Sequence, residues 1–162
     1  MTTLPRTRTS APPASSEATR AVMLANRNTN TGPELMLRRA LHGRGLRFRL
    51  HREILPGLRC RPDIVFGPAR VAVFVMGCFW HRCPQHATMP RANRDYWAAK
   101  FARTVARDER NREALQRAGW VVVWVWEHES VDAAAAQVAG VVRARRGGAD
   151  SSDRTRRYRQ VP

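Results

Sequence analysis

Residues 70–86 read RVAVFVMGCFWHRCPQH, and this stretch decides the architecture. Its first seven residues are dense in Val and Phe, as in a strand buried on both faces, and Gly77 turns the chain out of that strand. The block from Gly77 to His86 then crowds Cys78, Cys83, His81 and His86 around Phe79 and Trp80. Polar chemistry is therefore expected at the end of a buried strand.

Working outward, RPDIVF (61–66) passes from polar to apolar before the Gly67-Pro68 turn, which places Asp63 at the mouth of a second strand. LRFRL (46–50) alternates apolar and basic residues as a half-exposed strand does. A helix opens at Thr31 or Gly32, carries Pro33 and Glu34 in its first turn, and closes at Gly43 and Gly45. Downstream, an Arg- and Ala-rich helix is predicted over 94–118, ended by Gly119. WVVVWVW (120–126) is so continuously apolar that it predicts a central strand, with Glu127 and His128 at its end. A last helix is expected over 131–145. The order of elements gives an α/β domain over 19–146, a mixed central sheet flanked by helices. A flexible basic arm (1–18) precedes it and a loose charged tail (147–162) follows.

Lys and Arg number 29 against 13 acids in 162 residues, a net charge of +16. That balance is the footprint of a DNA or RNA binder, with a ribosome-like or anionic-membrane-binding protein as the alternative. No apolar run approaches the ~20 residues of a membrane span, and the N-terminal stretch lacks the hydrophobic centre of a secretory signal. A cytoplasmic protein is expected. Three cysteines argue against a secreted disulfide framework, and in a reducing compartment paired Cys and His favour a metal. Cys60 is the leftover thiol, either a packing residue or one whose pKa Arg59 and Arg61 lower.

Cys78, Cys83 and His86, with His128 as a fourth donor, make a Cys₂His₂ set suited to tetrahedral Zn²⁺, and a fully protein-ligated site is structural. The alternatives are two buried thiols with two solvated imidazoles, or a Cys78–Cys83 disulfide, which a reducing compartment disfavours. His81 is left free for general-base work with Asp108 orienting its ring, or for a phosphate contact, with Asp108 then paired to Arg112 one turn on. Phe79 and Trp80 are either core or, in basic surroundings, apolar wedges between base pairs. Asp63 and Glu34 form a candidate Mg²⁺ site, or each simply pairs with an arginine.

TGPELMLRRALHGRGLRFRLH, LPGLRCRPDIVF, VAVFVMGCFWHRCP, YWAAKFARTVARD and GWVVVWVWEHE together resemble the very short patch repair (Vsr) endonuclease family. The likeness runs from about Met23 to Glu129, with GCFWH and the preceding RPD its most specific parts. The resemblance implies a restriction-endonuclease-like fold and a Mg²⁺-dependent nick at T:G mispairs left by deamination of 5-methylcytosine. It also implies functional association with a DNA cytosine methyltransferase, in some cases within a restriction-modification system, and with downstream repair proteins in the bacterial nucleoid. By motif position, Asp63 is the implied principal Mg²⁺ ligand, Val75 offers its carbonyl, and Glu34 acts through metal-bound water. His81 activates the attacking water and Asp108 orients it. Phe79 and Trp80 are the implied DNA wedge, Met23 inserts from the opposite groove, and Cys78, Cys83, His86 and His128 match the structural zinc positions.

One departure matters. Met76 stands where the family usually carries Asp or His, and a thioether neither suits hard Mg²⁺ nor moves a proton near neutral pH. If that side chain normally gives acid–base help, its loss costs on the order of 10²–10⁴ in rate. Asn30 and Thr104 likewise replace an Asp and an Asn. Three functions therefore compete: a T:G nickase, a mismatch-DNA-binding module impaired in cleavage, and a restriction-type nuclease that breaks both strands. A monomer is the default, because nicking one strand needs no two-fold symmetry.

Overall fold

In order, the chain forms α1 (Glu17–Ala25), α2 (Gly32–Gly43), β1 (Arg49–Leu50), β2 (Ile64–Phe66), β3 (Val71–Met76), α3 (Arg94–Arg117), β4 (Val121–Trp126) and α4 (Val131–Arg157). This is a computed structural model that describes residues 11–14, 16–25 and 29–157, with the backbone alone for Thr19, Val22, Met23 and 148–157. The four strands make one mixed sheet in the order β1-β2-β3-β4. β1 and β2 pair antiparallel, as do β2 and β3, whereas β3 and β4 are parallel, from Val71↔Val121 to Met76↔Trp126. A parallel pair needs a long crossover, and the segment containing α3 supplies it.

Strand β2 is buried, β3 largely so and β4 half-buried, because both faces of that part of the sheet are covered. On one face Val71, Val73, Val123 and Val125 pack with Leu37 and Leu41 of α2 and with Ala135, Val138 and Val142 of α4. On the other, Ala72, Phe74 and Val122 meet Leu115 of α3 together with Cys60 and Trp120. Met76, two residues beyond Phe74, faces the α3 side by the strand's period of two.

Several expectations are revised. The 120–126 strand is an edge strand, β4, and not central; β3 is flanked on both sides. Its continuous apolar character reports two covered faces, not two strand neighbours. The 46–50 segment keeps its alternation, with Leu46 buried and Phe48 against the core, but only Arg49 and Leu50 join the ladder. The strand expected over 61–66 is confined to Ile64–Phe66. Helix α1 begins at Glu17, inside the stretch read as an arm, and residues 1–10 lie outside the described residues. The last helix runs through Gly147 and Gly148 to Arg157, well past 145. Gly119, by contrast, ends α3 as read: its φ of +81° is a left-handed conformation that favours glycine, and the Arg70 guanidinium packs over it.

Among the described residues no helix is long and apolar enough to cross a membrane. The core makes a direct prediction. Phe66 is 1% exposed, so Phe66→Ala should cost about 3–5 kcal/mol in urea unfolding. Val105→Ala, on exposed α3 surface, should stay within about 0.5 kcal/mol.

Candidate active site and metal centre

The end of β3 is the meeting point. Val75 N donates to Asp63 Oδ2 at 2.7 Å, on the β2 side, where the ladder's last pair is Ile64↔Val73. A strand residue directs its N–H and C=O to the same side, so the Val75 carbonyl opens beside Asp63 with no further β2 residue to meet it. The next carbonyl, that of Met76, points the other way and accepts from Glu127 N at 3.0 Å. One carboxylate and one backbone carbonyl thus stand side by side, both hard oxygen donors.

A cavity of about 900 Å³ opens there, and its lining includes Glu34, Asp63, Val75, Met76, His81 and Asp108. Burial pushes the Asp63 carboxyl up to about 6, a rise that Glu34's charge adds to, while the Val75 hydrogen bond, His51 and Arg38 pull against it. Glu34 occupies the first turn of α2 and is itself buried, its oxygens taken up by Asn30 N, the Thr31 hydroxyl and Arg38 at 2.9, 3.1 and 2.8 Å. The arginine alternative therefore applies to Glu34, but not to Asp63.

On the α3 wall, His81 Nδ1 lies 2.6 Å from Asp108 Oδ2. Arg107 donates to Asp108 Oδ1 at 2.9 Å. Although burial raises the Asp108 pKa, the bonds from His81 and Arg107 together hold it below the ordinary carboxylate range. An ionised Asp108 fixes the His81 proton on Nδ1 and leaves Nε2 as a base. The Asp108–Arg112 pairing considered from sequence is absent; Arg112 pairs with Glu109. Cys60 is buried at the cavity wall and burial pushes its thiol up to about 11, so Arg59 and Arg61 do not activate it.

Beyond the strand end, ligand atoms of Cys78, Cys83, His86 and His128 all lie within 4.8 Å of one another. Cys78 Sγ is 3.1 Å and Cys83 Sγ 3.8 Å from His128 Nδ1, and Cys83 Sγ is 3.8 Å from His86 Nδ1. The cysteines are free thiols. Two sulfurs and two imidazole nitrogens at these spacings fit one tetrahedral ion with bonds of about 2.0–2.3 Å. Burial and the Cys83 sulfur raise the Cys78 thiol above its ordinary range, so filling the site with a metal would release protons. Glu127 Oε1 accepts from Cys78 N at 2.7 Å and pins the turn to β4.

That turn carries the aromatics. Phe79 stands edge-on to Trp80, Trp97 and Phe101 at 5.0–5.6 Å. Phe79 and Trp80 are half-buried, between core and surface. The Met23 side chain lies outside the described residues. Sequence reasoning missed Trp97 and Lys100. Lys100 is the only lysine in an Arg-rich chain, and its ammonium sits 5.2, 4.9 and 5.8 Å from the ring centres of Trp80, Trp97 and Tyr96. That compositional singularity was the available signal. Thr104 turns its hydroxyl back to the Lys100 carbonyl, and Asn30 accepts from Arg38 at 2.6 Å.

The chain is similar to known DNA endonucleases. Residues 14–86 match the family described as DNA mismatch endonuclease Vsr. The type II nicking enzyme V.NaeI of Lentzea aerocolonigenes is 43% identical over 134 residues, 80% of each chain. V.XorIIP, a type II nicking enzyme of Xanthomonas oryzae pv. oryzae, is 45% identical over 73% of this chain and 85% of its own. The DNA mismatch endonuclease Vsr of Escherichia coli K12 is 38% identical over 65% of this chain and 66% of its own.

Asp63 generates a stability prediction. Its carboxyl is raised from 3.8 to about 6 in the fold, so ionising it costs stability as pH rises through that window. With no added divalent cation, Asp63→Asn should match the natural protein in thermal melting near pH 4 and exceed it at pH 7.5 by up to about 3 kcal/mol. Equal stability at both pH values would contradict the assignment.

Proposed function

The chain belongs to the Vsr family of DNA endonucleases, and from that membership we propose that it is a Mg²⁺-dependent nickase acting at T:G mispairs. The observation that carries the proposal is the juxtaposition, across one cavity, of Asp63 with the open Val75 carbonyl on one wall and the His81–Asp108 pair on the other. Mg²⁺ held by Asp63 and Val75 would neutralise charge on the scissile phosphate. Glu34, with its oxygens already occupied, acts through water.

His81 Nε2 takes the proton of the attacking water as its oxygen bonds to phosphorus and the bond to the leaving sugar oxygen breaks. Asp108 keeps the ring in the required tautomer and stabilises the imidazolium that results. Arg59, Arg61, Arg107 and Lys100 line the same cavity and draw the phosphate backbone into it. The fold we assign is restriction-endonuclease-like, with structural zinc at Cys78, Cys83, His86 and His128 stiffening the turn. Phe79 and Trp80 are the DNA wedge, backed by Trp97 and Phe101, with Met23 the wedge from the other groove. The biological setting we infer is a monomer in the bacterial nucleoid that serves a cytosine methyltransferase and hands its nick to repair proteins.

One observation favours a second reading, a mismatch binder impaired in cleavage. Met76 is 4% exposed and lines the cavity, so a thioether occupies the wall where the family usually has an acid or an imidazole.

Single-turnover cleavage of a T:G duplex in Mg²⁺ tests both. Asp63→Ala should remove cleavage, and His81→Ala should lower the rate by about 10²–10⁴ with duplex binding retained. Cleavage by Met76→Asp alone would establish the second reading; linearised plasmid would indicate double-strand breaks. Elemental analysis should find stoichiometric zinc, lost in Cys83→Ala together with thermal stability. A zinc-free chain of full stability would overturn the structural-zinc assignment.

A further inference from the structure

Two polar side chains beside the cavity have no part in the chemistry above. Arg38 is 7% exposed, a buried cation whose Nε has no partner. Such a group is costly to bury, and its two amino groups must offset that cost through their contacts. Nη1 reaches Asn30 and Nη2 reaches Glu34, and Nη2 also lies 3.0 Å from His51 Nε2.

A guanidinium only donates, so His51 Nε2 must accept, and the ring proton sits on Nδ1. That nitrogen faces Asp63 Oδ1 at 3.9 Å, longer than a hydrogen bond but close enough to act on the carboxylate electrostatically. His51 reaches this place with φ at +47°, an uncommon conformation for a residue with a side chain. Asp63 is therefore approached on both oxygens: Oδ2 by Val75 N, Oδ1 by His51.

We infer that His51, with its tautomer fixed by Arg38, is a positioning residue that orients Asp63 and sets how tightly the site takes a divalent cation. The inference rests on Asp63 being the cation's ligand. It assigns His51 no proton transfer; a neutral amide of similar reach could do the same work, its oxygen accepting from Arg38 and its N–H turned to Asp63.

The test is Mn²⁺ binding to the full chain with its zinc, followed by the paramagnetic resonance of the free ion. Groups that orient a ligand change metal affinity by about 10–100-fold, so His51→Leu should weaken Mn²⁺ by at least about tenfold, whereas His51→Gln should stay within about threefold. Asp63→Ala should abolish binding. Unchanged affinity in His51→Leu, with loss in Asp63→Ala, would overturn the inference alone. Unchanged affinity in Asp63→Ala would overturn the cation site and the inference with it. Equal weakening in Leu and Gln variants would require an imidazole-specific role and contradict positioning. Independently of any variant, ¹⁵N resonances of His51 should show Nδ1 protonated and Nε2 bare, and the reverse tautomer would contradict the account.

Discussion

The parallel register of β3 and β4 is the constraint on which the site depends. Six consecutive pairs, closed by the bond from Glu127 N to the Met76 carbonyl, bring Cys78 and His128 together across fifty positions of sequence. The same closure turns the Met76 carbonyl toward β4 and so leaves the Val75 carbonyl facing Asp63. A one-residue slip would reverse both faces of β4, separating the thiol and imidazole cluster and uncovering the valines that pack on α4.

From that strand end the site divides by chemistry. Hard oxygen donors gather on the β2 side, soft sulfur and imidazole donors gather in the turn beyond Gly77, and the His81–Asp108 pair stands on the α3 side. Met76 lies between these groups. Burial of Asp63 opposes its charge, which costs the fold some stability near neutral pH. The Asp108 carboxylate behaves in the opposite way, because His81 and Arg107 satisfy it directly. Two half-buried acids in one cavity thus sit on opposite sides of their ordinary pKa.

Much of this was legible in the sequence. RPD and GCFWH placed Asp63 and the Cys/His block at strand ends, and the helices 32–43 and 94–117 were marked by Pro33, Gly43 and Gly119. The misplaced element is β4, whose apolar run cannot distinguish a central strand from an edge strand covered on both faces. Helix α1 was hidden by the Pro- and Ser-rich stretch before it, and the extension of α4 by the glycine pair that reads as a stop. The Arg38–His51–Asp63 contacts were invisible, since they join residues 13 and 12 positions apart on separate elements whose approach only tertiary packing defines.

We propose that this sheet end cuts one strand of mismatched DNA. This is tested most directly by incubating the natural protein with Mg²⁺ and a duplex bearing a single T:G pair, each strand labelled separately, beside the matched T:A duplex. A single cut in the thymine strand of the mismatched duplex and an intact matched duplex are expected. Cutting of both strands, or equal cutting of both duplexes, would contradict it.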